Sequence, residues 1–183
     1  IFHGPILMTA VKEGNLSVIK NLVKHGVHVG MLDGDALKIS CLYGHYDIAK
    51  YLIERGVDIH SEGERALLNA VRKGHYEIVK LLVEMGADIH VSMDEPLRIA
   101  IKEGHIDIVK YLINQGITVR QDMIYHAIEA GHIDIVKYLI EYSRIHIDKL
   151  HILKKAIYFR QTEIVNYLWP MVYKEKKGRR IGG

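Results

Sequence analysis

The chain carries a single cysteine, Cys41, among its 183 residues, so no internal disulfide holds it together. A lone thiol is the usage of a reduced, intracellular protein rather than a disulfide-stapled secreted one. Long apolar runs are also missing: none approaches the ~18 residues of a membrane span. The opening residues, Ile1-Phe2-His3-Gly4-Pro5, lack the basic stretch and small-residue cleavage site of a secretory signal. The expected setting is therefore intracellular and cytoplasmic, with no membrane association.

An excess of one charge is missing too, once the charges are placed. The net charge is +3, but five basic residues and one acid lie from Lys174 onward. The preceding 173 residues carry 20 basic and 21 acidic side chains. Such a body offers no electrostatic footprint for nucleic acid. The basic end, residues 170–183, is expected to be a flexible tail. Nucleic-acid or anionic-surface binding led by that tail is the alternative functional reading, and it predicts binding that weakens steeply with salt; the same basic tail would also suit nuclear import.

Signatures of catalysis are absent as well. There is no glycine-rich phosphate loop, no nucleophile elbow and no His-Glu-x-x-His zinc helix. No enzyme activity, cofactor or small-molecule substrate is expected. Twelve histidines invite a metal reading. His45, His75, His105 and His132 recur singly, as do His60 and His90. Packed helices lie about 8–10 Å apart, whereas two ligands on one zinc need nitrogens within roughly 3–4 Å. One histidine per layer cannot build a shared site. His146 and His151 have no cysteine or clustered acid beside them. No metal is expected.

What the chain does have is a repeating phrase. It reads Ala10-Val11-Lys12-Glu13-Gly14, Ser40-Cys41-Leu42-Tyr43-Gly44, Ala70-Val71-Arg72-Lys73-Gly74 and Ala100-Ile101-Lys102-Glu103-Gly104, at intervals of 30 residues. A copy 27 residues further on reads Ala127-Ile128-Glu129-Ala130-Gly131, and a degraded one follows after 29, Ala156-Ile157-Tyr158-Phe159-Arg160. A period of this length marks a stacked-repeat protein, whose units cannot each bury a core alone.

Each unit reads as two short helices. In the second unit the spacing predicts helices over 36–43 and 46–55, ended by Gly44 and Gly56. Glycine suits both places because the residue after a helix often adopts a left-handed backbone. Leu37 and Cys41 share one face of the first helix; Ile48, Leu52 and Ile53 share one of the second. Asp47, Glu77, Asp107, Asp134 and Glu163 fall in the first turn of the second helices, where an acid favours the positive dipole end. Lys50, Lys80, Lys110 and Lys137 follow three residues later, within ion-pair reach. Tyr51, Tyr111, Tyr138 and Tyr167 recur as a stripe that suits packing between units.

The stretches Gly44-His45-Tyr46-Asp47-Ile48-Ala49-Lys50-Tyr51-Leu52-Ile53-Glu54-Arg55-Gly56-Val57-Asp58 and Gly74-His75-Tyr76-Glu77-Ile78-Val79-Lys80-Leu81-Leu82-Val83-Glu84-Met85-Gly86-Ala87-Asp88 resemble the second half of the ankyrin repeat. The resemblance covers about residues 4–169. It implies an all-α solenoid of about six helix–loop–helix units, at about 4–33, 34–63, 64–93, 94–120, 121–149 and 150–169. It further implies that His45 and its equivalents bond the loop backbone at the start of the second helix. Asn15 and Gln161 stand at the matching places. The short period predicts stubby hairpin tips, and endings such as Asp88-Ile89-His90 look like those of giant DNA virus arrays.

Two departures stand out. The family opens its first helix with Thr-Pro-Leu-His, but the matching residues here are Pro5-Ile6-Leu7-Met8, Asp35-Ala36-Leu37-Lys38, Arg65-Ala66-Leu67-Leu68, Glu95-Pro96-Leu97-Arg98 and Asp122-Met123-Ile124-Tyr125. Only the apolar residue is kept. At the C-terminal side Tyr142-Ser143 replaces the helix-ending glycine, Arg160-Gln161 replaces Gly-His, and Pro170 is expected to stop the last helix. Ile1-Phe2-His3 fits the remnant of an earlier unit.

The resemblance also implies a function: a non-catalytic protein–protein interaction module whose concave face binds a protein partner, as a substrate adaptor or a host-interaction factor. The side chains that would line that face precede each first-helix glycine. They are Lys12 and Glu13, Leu42 and Tyr43, Arg72 and Lys73, Lys102 and Glu103, Glu129 with Ala130, and Tyr158 and Phe159. Exposed tyrosine and arginine are favoured as interface anchors, which singles out Tyr43 and Arg72. The module itself is expected to be a monomer.

Overall fold

The computed structural model describes residues 3–29, 34–142 and 147–178, and no side chains beyond Tyr173. Those residues form twelve α-helices and no strand. They pair in chain order: α1 (His3–Lys12) with α2 (Leu16–Lys24), α3 (Asp35–Tyr43) with α4 (Tyr46–Glu54), and α5 (Ser61–Lys73) with α6 (Tyr76–Glu84). Then come α7 (Val91–Glu103) and α8 (Ile106–Asn114), α9 (Gln121–Ala130) and α10 (Ile133–Tyr142), and α11 (Lys149–Tyr158) and α12 (Thr162–Gly178). The helices and their glycine stops stand where the periodicity puts them, and each acid of the second helices lies in a first turn.

The chain divides into two compact halves, Ile1–Ile99 and Ala100–Gly183. In the first half α3 packs against both α1 and α5, and α4 packs against α6. In the second, α11 packs on α9, while α10 packs on α8 and α12. First helices thus form one row and second helices another within each half. Leu7, Val11, Leu37, Cys41, Leu67 and Val71 are buried in the first half, and Ile101, Ile124, Ile128 and Leu153 in the second. On the second helices Ile48, Leu52, Ile78, Leu82, Ile108, Leu112 and Ile113 are buried, but Ile53 and Val83 are only half-buried. Burial pushes the Cys41 thiol up to about 12, against a weaker opposing hydrogen bond with Ser40, so it stays protonated and inert.

The tips between repeats hold a feature the periodicity does not show. Before α5 turns right-handed, Glu62, Gly63 and Glu64 take left-handed dihedrals (φ 52, 62 and 65°); before α7, Ser92, Met93 and Asp94 do the same (φ 50, 58 and 62°). Each non-glycine residue there costs about 1–2 kcal/mol. A local bonding pattern offsets this cost. The Asp58 carboxylate accepts from the His60 backbone N–H at 2.9 Å, and the His60 ring bonds the buried Glu64 carboxylate across the turn. Asp88, His90 and Asp94 repeat the pattern, at 2.8 Å for both bonds. The 27-residue copy of the phrase lacks three residues between Arg120 and Ile124, where the earlier repeats place this triplet. Its α9 follows directly from an extended Arg120.

Where the family's Thr-Pro-Leu-His bonding is missing, the second, third and fourth repeats make other bonds. The buried Lys38 ammonium bonds Asp35 at 2.7 Å and Glu62 of the next tip at 2.6 Å. Burial works against its charge, but those two carboxylates outweigh it and raise its pKa. The Asn69 amide donates to the Lys38 carbonyl at 3.0 Å, and Arg98 donates to the Ser92 carbonyl at 2.9 Å.

Two expectations need correction. Pro170 does not stop the last helix; α12 runs through it to Gly178. Ile164, Leu168 and Val172 lie four residues apart on one buried stripe, so burying Val172 favours continuing the helix despite the missing proline N–H. The predicted pairs between first-turn acids and lysines also give way. Lys80 lies 3.9 Å from Glu84 rather than pairing with Glu77. Lys110 and Lys137 sit 5.7 and 5.5 Å above the rings of Tyr138 and Tyr167 in the following repeat. Lys20 lies likewise 5.6 Å above Tyr51. Tyr51, Tyr138 and Tyr167 of the stripe therefore pack between repeats as cation–π partners.

Met93 is exposed at the middle of a left-handed triplet, where Gly63 stands one repeat earlier. Replacing Met93→Gly is expected to stabilise the fold by about 0.5–1 kcal/mol in urea unfolding, the relief of left-handed strain exceeding the entropy glycine adds to the unfolded chain. The hydrogen bond to Glu64 raises the His60 pKa, against a smaller lowering by burial. Its stabilisation is full below the unfolded pKa of about 6.5 and is lost as pH rises through the higher folded value. The stability gap between the native chain and His60→Gln is therefore expected to be wider at pH 6 than at pH 9 by chemical denaturation.

Candidate functional site

The candidate residues occupy the last turn of each first helix, and a cross-repeat bond sets their spacing. Gly44 has a left-handed backbone (φ 80°), which lets the His45 N–H return to the Ser40 carbonyl at 2.9 Å. The His45 imidazole Nε2 then bonds the Lys12 carbonyl of the preceding repeat at 3.0 Å, and the His75 Nε2 bonds the Leu42 carbonyl at 3.3 Å. In the second half, His132 Nε2 bonds the Lys102 carbonyl at 3.0 Å, and the Gln161 amide donates to the Glu129 carbonyl at 3.3 Å. The histidine therefore secures the previous first helix, not the loop of its own repeat as expected. Gln161 does the same work in the last repeat. Asn15 instead turns back and accepts from the Val18 N–H at 3.2 Å, capping its own helix.

The glycine is required twice over. Its backbone is left-handed, and a Cβ on Gly44 would lie 2.5 Å from the His75 ring. Against Gly14 the His45 ring would stand 2.8 Å away, and against Gly104 the His132 ring 2.6 Å. Glycine and the next repeat's histidine form one lock. Arg160 keeps the left-handed backbone (φ 57°) without being glycine.

This lock draws the first-helix ends side by side. In the first half it aligns Lys12 and Glu13, Leu42 and Tyr43, and Arg72 and Lys73. Lys12, Glu13, Tyr43 and Lys73 are exposed, while Leu42 and Arg72 are half-buried. Tyr43 is 52% exposed, and its ring stacks on that of His45 at 6.2 Å and 11°. In the second half Lys102, Glu103, Glu129 and Ala130 are exposed. Tyr158 is exposed and meets the half-buried Phe159 edge to face at 5.1 Å. Sequence reasoning missed that the backbone carbonyls of Lys12, Leu42, Lys102 and Glu129 are the anchor acceptors. The signal lay in the pairing of each glycine with a histidine or glutamine one repeat later.

Among the described residues no group of three or more His, Cys, Asp and Glu side chains is placed to hold a metal ion. His146 lies outside them, as does the end of the chain from Arg179. None of the described helices is long and apolar enough to cross a membrane.

Paired short helices, glycine stops and a side-chain-to-carbonyl lock between successive repeats define a helix–loop–helix repeat protein. The family of ankyrin repeats (3 copies) matches residues 7–93, 59–123 and 97–177. The chain belongs to the ankyrin repeat family. Its structure is similar to the crystal structure of the human ASB11 ankyrin repeat domain, with a TM-score of 0.73 and 25% identity over 88% of this chain and 81% of that one. A search of curated protein sequences finds no significant match. Ankyrin repeat domains are in general non-enzymatic protein–protein interaction modules.

The lock makes its own test. His75→Ala is expected to cost about 1–2 kcal/mol, from the loss of one part-buried bond and some packing. Gly44→Ala should cost more, because it adds backbone strain and a ring clash. In the His75→Ala background the Gly44→Ala cost should shrink, since the ring is gone. Strictly additive urea-unfolding energies would show that the two residues do not act as one unit.

Proposed function

We propose that this chain is a non-catalytic interaction module that binds a protein partner along the first-helix ends of its first half. Tyr43, Arg72 and Lys73 are the central contacts, flanked by Lys12, Glu13 and Leu42. Lys102, Glu103, Glu129, Tyr158 and Phe159 offer a second row in the second half. The observation that carries this reading is Tyr43: an exposed aromatic ring, pre-oriented by stacking on a histidine that is itself locked to the backbone. A ring held in place before binding loses little rotamer entropy on contact, and aromatic and arginine side chains supply most interface hot spots. The neighbouring Lys73 gives the row a cationic side that fits an acidic partner surface. The reduced, buried Cys41 supports an intracellular setting, and the module's role as a substrate adaptor or host-interaction factor would come from what it is joined to.

The test has two stages. A photo-crosslinking residue at Lys73, in the native cell, identifies what lies against the row. Titration calorimetry with that purified partner then compares the native chain with Tyr43→Ala plus Arg72→Ala. Binding is expected to weaken at least about 30-fold, the loss of one strong hot spot, while Lys50→Ala on a second helix leaves it unchanged. Unchanged affinity in the double variant would refute the assignment.

A further inference from the structure

The second-helix row of the first half holds an open cleft of about 560 Å³ between α2 and α4, lined by Lys20, Val23, Lys24, Tyr51, Glu54 and Arg55. Its charge does not follow from the repeat. Lys20 has lysine counterparts in Lys50, Lys80, Lys110 and Lys137, and its place over the Tyr51 ring is the packing that Lys110 and Lys137 also adopt. Lys24 and Arg55 are different. The counterparts of Lys24 are Glu54, Glu84, Asn114 and Glu141, and those of Arg55 are His25, Met85, Gln115 and Tyr142. A helix C-terminus favours a cation at either place, yet these repeats fold with acids or, at neutral pH, uncharged side chains there. One repeat on, the equivalent positions hold Lys50, Ile53, Glu54, Leu81, Glu84 and Met85, which is one cation and two acids. Two departures from the repeat thus converge on a single cleft. Lys20, Lys24 and Arg55 are exposed, and none forms a salt bridge with Glu54 or another carboxylate among the described residues. The Arg55 guanidinium lies 5.0 Å from the Tyr51 ring centroid, and the Lys20 ammonium 5.6 Å from it. A guanidinium resting on a ring keeps its N–H fork available and has lost rotamer freedom before any ligand arrives.

We infer that this cleft binds a phosphorylated serine or threonine of a protein partner, at a site separate from the first-helix row. Three cations against the one carboxylate of Glu54 leave an excess of two positive charges. A phosphomonoester, with a charge of about −1.5 to −2 and three acceptor oxygens, matches that excess. A carboxylate side chain brings one charge and two oxygens. Arginine forks and lysine point charges both suit phosphate. The cleft is open along the surface, so it fits a short side chain on a segment passing over it. Sites for free metabolites instead enclose most of the ligand. Long polyanions fit poorly, because Glu54 and the exposed Glu84 follow along the same row. The positive footprint is one phosphate wide and does not continue as nucleic acid or an anionic bilayer requires.

The whole 183-residue chain is probed with a peptide library that fixes a central phosphoserine between degenerate flanks. Retained peptides are then titrated by fluorescence polarisation beside their unphosphorylated forms. Phosphopeptides are expected to bind with Kd below about 1 mM, and to weaken at least about 10-fold without the phosphate. Lys24→Glu and Arg55→Met each import the residue that a neighbouring repeat carries, so native circular dichroism and melting should persist. Each should lower affinity at least about 10-fold; if one variant melts early, the other decides. Lys80→Ala, and Tyr43→Ala plus Arg72→Ala on the first-helix row, should leave it unchanged. A library that retains no phosphopeptide over its unphosphorylated form would overturn the proposal, as would undiminished binding to either folded cleft variant. Inorganic phosphate binding as tightly as the peptides would also overturn it, by making the cleft a site for free phosphate. So would phosphatidylserine vesicles or a mixed-sequence oligonucleotide that bind more tightly than the peptides through Lys24 and Arg55.

Discussion

The glycine–histidine lock is the constraint on which the rest depends. A short helix pair cannot bury enough apolar surface to stand alone, so each repeat needs its neighbour placed in one register. Apolar packing favours contact but is tolerant of small slips. A ring nitrogen on one carbonyl is not: His45 reaches Lys12, His75 reaches Leu42, and His132 reaches Lys102. Glycine before each histidine opens the space the next ring occupies. The lock thus fixes the register that lets Leu37, Cys41, Leu67 and Val71 meet, and it sets the spacing of the side chains that precede each glycine.

A second level of control lies at the tips. Left-handed triplets at Glu62-Gly63-Glu64 and Ser92-Met93-Asp94 reverse the chain in very few residues, and histidine–carboxylate pairs hold them. Glu64 is drawn into the fold as a result, with its Oε2 buried. The same economy explains the change in period. Removing the triplet shortens the repeat without touching either helix, so the core and the lock continue through α9 and α10. Lys38 ties a tip to the preceding first helix through Glu62, which supplies the stiffness that the family draws from threonine and histidine.

The surface divides by how strongly it is determined. Side chains before each glycine are held in place by the lock through their backbone but face outward, so their chemistry is free to follow a partner. Tyr43 and Lys73 in the first half, and Tyr158 in the second, are exposed. The end faces are the reverse case. Ile6, Val18 and Ile157 keep the apolar identity of buried positions while lying exposed.

Much was legible in the sequence because it depends on local spacing. Helix positions as far as Pro170, glycine stops, first-turn acids and most of the buried stripe follow from periods near 3.6 and from the repeat itself, although Ile53 and Val83 are only half-buried. The ankyrin resemblance was legible for the same reason. What only the tertiary structure decided involves partners about one repeat away or an unusual backbone. The histidines bond the previous repeat rather than their own loop, because the distance is closed by stacking and not by sequence neighbours. The lysines choose tyrosine rings of the next repeat over nearby acids, since the rings are brought beneath them by packing. Pro170 is passed because Val172 gains burial beyond it. Exposure itself was never in the letters: Ile128 and Ile157 are the same residue at the same place in the repeat, and only a neighbour's presence separates core from surface.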